Sequence, residues 1–202
     1  MMRFDFSQNC WNAADFLPAA SVRVPYRLAF GQKDDCIHNE GADKAGDEYA
    51  YVSMALAQRV KAPCLLSTEC AFNKYGAPLI LLADEIIALP DGRRQYGHHI
   101  EIVGWEKGLN LWDITPDPAA DHGQRVKKIG ALSFPVKGGE RFEIFVRVGK
   151  ASLTAGLRTK AGAAEFDCPC RLADSFYAGL TACEGENYFY NFVVESNFAL
   201  QR

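Results

Sequence analysis

Long apolar runs and basic clusters are both missing from this chain of 202 residues. No segment approaches the roughly 18 consecutive apolar residues of a membrane-spanning helix, so no such span is expected. Lys and Arg gather no further than the pairs Arg93-Arg94 and Lys127-Lys128, and a net charge of -3 supplies no positive field to draw phosphates. Nucleic acid is therefore not an expected partner. The sequence also holds no GxSxG, no HExxH and no Gly-rich phosphate loop, which removes the enzyme classes that rest on those signatures. The first residues, MMRFDFSQNCW, carry one arginine but lack the apolar core of about 7–15 residues and the small-residue cleavage site of a secretory signal. The seven cysteines are odd in number and scattered. Cys168-Pro169-Cys170 has neither the CxxC redox spacing nor a second ligand pair for zinc. Reduced thiols in a cytoplasmic protein are expected.

What is present favours a sheet-rich fold. Hydrophobic residues make up 49% and aromatics 12% of the chain, enough for a packed core, and the length suits one large β domain over residues 1–202. Turn-forming residues recur at Asn73-Lys74-Tyr75-Gly76, Pro90-Asp91-Gly92, Lys107-Gly108, Lys137-Gly138-Gly139, Gly149-Lys150 and Gly185-Glu186-Asn187. Between them lie short segments rich in β-branched and aromatic residues, the rhythm of an all-β sandwich. Expected strands are Val22 to Phe30, Cys64 to Phe72, Leu79 to Ala83, Gln95 to Trp105, Leu109 to Asp113, Ala131 to Val136, Arg141 to Val148, Ser152 to Leu157, Phe176 to Cys183 and Tyr188 to Ser196. In Arg141 to Val148, the residues Phe142, Ile144, Val146 and Val148 form an apolar face. Leu79 to Leu82 is apolar on both faces, as in the centre of a sandwich. Residues 47–60 have near-helical spacing, yet Tyr49, Tyr51 and Val52 favour a strand.

Chemistry concentrates in YGHHIEIVGWEKGLNLWD, from Tyr96 to Asp113. In a strand, His99, Glu101, Val103 and Trp105 share one face, and His98, Ile100, Ile102 and Gly104 share the other. An indole can stack on the apolar face of a pyranose while His and Glu hydrogen-bond its hydroxyls. The expected ligand-binding set is His99, Trp105, Trp112 and Asn110; a packed Trp105 beside a surface His-Glu contact is the alternative. His99 and Glu101 are two ligands without a third, so no metal is expected there. Asp113, Asp117 and Asp121 with His122 form a polar, Pro-containing loop that could hold calcium by its oxygens, or simply be solvated.

The order of short strands, with SFYAGLTACEGENYFYNFVVES from Ser175 to Ser196, resembles the closing strands of a concanavalin A-like jelly roll, the fold of legume lectins, laminin-G modules and many glucanases. FNKYGAPLILL resembles a hairpin of that fold, and GERFEIFVRVGKASLTAGL resembles the paired strands that follow it. The likeness spans about Val22 to Ser196 and implies a two-sheet antiparallel sandwich, with function following only by analogy. Glu101 to Glu106 is also similar to the catalytic strand of family 16 glycoside hydrolases, with Glu101 and Glu106 at the two glutamate positions and Val103 where that family has Asp. The resemblance implies Glu101 as nucleophile and Glu106 as general acid and base, with carboxyl groups about 5–5.5 Å apart. Trp105 and Trp112 would wall the subsites. A bulge at Gly104 would be needed to bring the two glutamates to one face. The leading expectation is a carbohydrate-binding, lectin-like protein of intracellular sugar or polysaccharide utilisation, its ligand a carbohydrate or glycoside on the concave sheet. The rivals are a glycoside hydrolase or polysaccharide lyase using Glu101 and Glu106, and a non-catalytic protein-interaction module.

Overall fold

The computed structural model describes residues 1–22, 29–39, 51–73 and 75–196. Most of the strand expected at Val22 to Phe30, and the start of the 47–60 segment, lie outside the described residues. The strands in chain order are β1 (Met2–Asp5), β2 (Phe16–Pro18), β3 (Gly31–Lys33), β4 (Cys36–His38), β5 (Val52–Leu56), β6 (Val60–Lys61), β7 (Cys64–Phe72), β8 (Gly76–Ala83), β9 (Ile86–Ala88) and β10 (Arg94–Tyr96). They continue as β11 (His99–Trp105), β12 (Gly108–Pro116), β13 (Gln124–Ser133), β14 (Phe142–Val148), β15 (Ser152–Thr159), β16 (Gly162–Pro169), β17 (Ser175–Glu184), β18 (Asn187–Phe189) and β19 (Asn191–Ser196).

Two antiparallel sheets take up nearly all of them. One runs β16-β15-β14-β7-β18-β4-β3, with β19 also on β7 and β1 on β19; the other runs β13-β12-β11-β8-β17-β5-β2, with β6 on β17. Between the sheets lies one core, in which Ile80, Ile102, Leu111 and Leu180 of the second sheet meet Leu66, Ile144, Val146 and Val194 of the first. Alternation explains the sorting. Phe142, Ile144, Val146 and Val148 point inward from β14, as its pattern requires, while Phe145 on the opposite face is buried beneath the guanidiniums of Arg147 and Arg158. The fold is the concanavalin A-like jelly-roll sandwich that the sequence resembles.

β8 is buried along its whole length. Its even residues Ile80 and Leu82 enter the core, and its odd residues Leu79, Leu81 and Ala83 enter a second apolar cluster on the outer face of the second sheet. Ala55, Tyr96, Cys183 and Ala19 complete that cluster, with Tyr51, Ile86, Val103 and Tyr177 packed against it. The β9–β10 hairpin lies over this face and covers the centre of the sheet, while among the described residues no strand lies over its β11–β12–β13 flank.

Four expectations need correction. The strand expected at Gln95 to Trp105 is two strands in different sheets: β10 pairs with β9, and β11 lies between β8 and β12. FNKYGAPLILL is not a hairpin: β7 pairs with β14, β18 and β19, whereas β8 pairs with β11 and β17, so the turn after Phe72 carries the chain from one sheet to the other. The strand expected at Ala131 to Val136 instead spans Gln124–Ser133, because an edge strand tolerates the exposed Arg125, Lys127 and Lys128 that conceal it in the sequence. Beyond its end, Phe134 and Val136 donate backbone hydrogen bonds to the carbonyls of Lys107 and Glu106. No bulge occurs at Gly104, since β11 pairs with β12 in unbroken register from His99 to Trp105. Gly104 serves a close approach of the sheets instead: a Cβ there would stand 2.9 Å from Ile144 Cδ1 and 3.1 Å from Phe142 Cε2.

Candidate functional site

Register fixes the face of every residue in the β11–β12 hairpin. Directly opposed residues of an antiparallel pair point the same way, so the outer face carries Glu101 beside Trp112, Val103 beside Asn110, and Trp105 at the end, while Ile100, Ile102, Leu109 and Leu111 enter the core. Trp112 thus points outward, which the sequence leaves open. Both indoles, Val103 and Asn110 are half-buried, and the Glu101 side chain is 16% exposed. The strip lies between the covered centre of the sheet and the edge strand β13, whose Lys128 is opposite Trp112. Each indole has an ammonium near it: Lys107 Nζ is 5.3 Å from the Trp105 ring centre and Lys128 Nζ is 5.7 Å from that of Trp112.

His99 lies on the same face but beneath the surface. It is fully buried, its Nδ1–H donates to the Gly97 carbonyl at 2.7 Å, and its ring packs against Tyr96 at 5.6 Å. Its Nε2 has no hydrogen-bond partner among the described residues and stands 3.7 Å from Glu101 Oε1, beyond hydrogen-bond range. Glu101 accepts no hydrogen bond from any described residue. Its side chain points to the outer face, beside that of Trp112. Behind it, Tyr96 Oη, Ser53 Oγ and Thr181 Oγ1 satisfy one another at 2.8 and 2.6 Å. Nearby tyrosines stay protonated. The electrostatic influence of Cys183, then burial, then the Glu101 carboxylate push the Tyr51 hydroxyl up, and burial raises Tyr96.

The other sequence-predicted groups are placed elsewhere. Glu106 sits in the hairpin turn, outside the strip, and lines a cleft of about 920 Å³ at one end of the sandwich with Phe72, Val136 and Lys137; Glu101 is not among the residues lining it. His98 faces the opposite side from His99 and bridges two carboxylates, with Nδ1 2.6 Å from Asp84 Oδ2 and Nε2 3.1 Å from Asp113 Oδ1. The acidic loop proposed for calcium is dispersed: Asp113 meets His98, Asp117 pairs with Arg125 at 3.0 Å, and Asp121 is 3.5 Å from His122. Among the described residues no three His, Cys, Asp or Glu side chains gather as a metal site. Trp11 packs edge-on to Phe6 and Phe16 and donates its Nε1–H to Gln32 Oε1 at 2.7 Å, which makes it part of the core margin.

Sequence reasoning missed Tyr51, Tyr96, Lys107 and Lys128 as neighbours of the site. Tyr96 precedes the two histidines and carries a readable signal; Lys128 does not, because its face depends on the register shift of β13 opposite Leu111 and Trp112.

No protein-family model matches the chain, and no curated protein matches its sequence. Solved structures do match in shape. A Bacillus subtilis protein of unknown function with a galectin-like fold superposes with a TM-score of 0.65 at 7% identity, over 96% of this chain and 94% of that one. The exoplasmic/lumenal domain of VIP36 with Ca2+ and Man3GlcNAc bound gives 0.61 at 9% identity, over 98% and 90%. The carbohydrate-binding module CBM66 from Bacillus subtilis gives 0.59 at 10% identity, over 90% and 96%. At such identities the likeness concerns the fold.

Proposed function

We propose that this protein binds carbohydrate on the open strip of its second sheet, without cleaving it. The observation that carries this reading is the pairing of two half-buried indoles, Trp105 and Trp112, with a half-buried carboxylate, Glu101, to which no described residue donates a hydrogen bond. An indole offers the apolar face of a pyranose a flat partner, and a carboxylate with vacant lone pairs takes its hydroxyl donors. Asn110 adds an amide between the two rings, and buried His99 braces the strand beneath Glu101. Two of the structural neighbours support the reading by their names, one as a carbohydrate-binding module and one as a domain with a bound Man3GlcNAc. Glu106 lies outside the strip and opens on the end cleft. We place the protein in a reducing compartment such as the cytoplasm, with a role in sugar or polysaccharide utilisation; the seven free thiols favour that setting.

A glycan array probed with the wild-type chain, Trp112→Ala and Glu101→Gln tests this directly, with a parallel assay for release of reducing ends. Binding of defined saccharides by the wild type, weakened in both variants and without turnover, is the expected result. Chelation with EDTA should leave the pattern unchanged, because Asp113 and Asp117 are already engaged by His98 and Arg125. Saccharide binding that survives both substitutions would overturn the assignment to this strip.

A further inference from the structure

The end cleft lies just beyond the strip, and Lys107 belongs to both. Its ammonium stands over the Trp105 ring on the outer face, and its side chain lines the cleft that Glu106 also faces. The cleft floor is apolar, built from Phe72, Pro135 and Val136, of which Phe72 and Val136 are each 5% exposed. Its rim carries Lys137, in the turn before β14, and Lys160, in the turn between β15 and β16. Both are exposed, and none of Lys107, Lys137, Lys160 and Lys128 has an ion-pair partner among the described residues. A volume of about 920 Å³ lies at the upper end of the roughly 300–1,000 Å³ found for ligand pockets.

Resting on the carbohydrate reading above, we infer that the ligand is an acidic oligosaccharide, bearing carboxylate or sulfate groups, which runs from the tryptophan strip past Lys107 into the end cleft. The hydroxyls of a neutral sugar are satisfied by neutral and carboxylate groups and gain little from ammoniums, whereas an anionic substituent forms charge-assisted hydrogen bonds with each lysine it reaches. A pyranose stacked on either indole brings its substituents beside an ammonium, Lys128 at one end and Lys107 at the other. Lys137 and Lys160 then receive the next anionic group. Glu106 and Glu140, which also line the cleft, accept hydroxyls between those groups and oppose a ligand with charge at every position. Recognition therefore favours spaced anionic groups.

Calorimetric titration of the full chain with an oligouronate, a sulfated oligosaccharide and a neutral oligosaccharide of equal length decides the matter. At low salt at least one acidic ligand should bind about tenfold tighter than the neutral one, as two exposed ion pairs allow. That preference should shrink at high salt. The double variant Lys137→Ala/Lys160→Ala, altered only in exposed turns, should melt at the wild-type temperature, keep neutral binding and lose the acidic preference. A carboxylate or a sulfate source is assigned by which ligand is preferred. Neutral binding lost in Trp112→Ala, with no gain for either acid, overturns this inference alone; failure of every saccharide to bind overturns the reading on which it rests. An acidic preference that persists in the double variant overturns the role given to the cleft.

Discussion

Glu101 and His99 stand two positions apart on β11, yet they do different work. Glu101 shows 16% of its side chain to solvent and is held by no hydrogen bond from a described residue, so its charge adds little to folding and is, on the proposed reading, a ligand-binding group. Glu101→Gln keeps the shape and removes the charge. It should weaken saccharide affinity by about ten- to hundredfold, the worth of one hydrogen bond to a charged group, while shifting stability by no more than about 0.5 kcal/mol. His99 is enclosed, and removing it leaves both a cavity and the Gly97 carbonyl without its donor. His99→Ala should cost about 2–4 kcal/mol, read from the urea midpoint. If His99→Ala proved neutral while Glu101→Gln destabilised the protein, the two roles would have to be exchanged. The spacing of His99, Glu101 and Trp105 made their common face legible from sequence, because side chains alternate along a strand whatever its neighbours. Trp112 and Lys128 were not legible in this way, since their faces depend on pairing register, and the β13 register shifts beside Trp112.

Elements were legible where at least one face is continuously apolar between turn signals. β7, β14, β15 and β17 were expected within a few residues of their observed ends, and Val52–Leu56 is the strand favoured over a helix. β16 was missed because GAAEFDCP mixes small and charged residues along an exposed edge, with no apolar face to mark it. The glycines of central strands carry a constraint that sequence does not display. A Cβ on Gly179 would lie 2.3 Å from the Met54 carbonyl oxygen and 2.8 Å from Ala55 Cα, both backbone atoms of β5, so no side-chain rotation relieves the clash. β17 also pairs with β8 along its length, and any displacement there reaches the covered centre of the sheet. Gly179→Ala should cost about 3 kcal/mol or more, or prevent folding, while Gly104→Ala, which meets only the ends of Ile144 and Phe142, should cost about 1–2 kcal/mol. Urea denaturation of the pair provides the comparison; equal stability would mean that β5 and β17 yield to each other as readily as two core side chains do.

Across the whole molecule, the frequent turns and short apolar segments announced a sandwich, but not which strand enters which sheet, because a turn such as the one after Phe72 can close a hairpin or cross between layers. The crossing places Cys64 and Cys70 in the middle of the first sheet, facing the core. Burial pushes the Cys64 thiol up to about 12 and Cys70 well above the ordinary 9.0, while Cys170 rises to about 11 through burial and the nearby Cys168. These folded-state values exceed those of the unfolded chain, so the native state holds its protons longer. The stability they contribute is complete below pH 9.0 and is lost as pH climbs towards 12, when ionised thiols can be accommodated only by opening the core. Tyr96, raised by burial in the outer cluster, adds loss of the same sign on the other sheet. The urea midpoint should therefore stay level around neutrality and fall steeply once the ordinary thiol value is passed. At mildly alkaline pH a thiol reagent should modify exposed Cys10 at once, and Cys64 and Cys70 only at the rate of global unfolding. Prompt modification of all seven cysteines in the absence of urea would mean that the two sheets separate far more readily than their shared core allows.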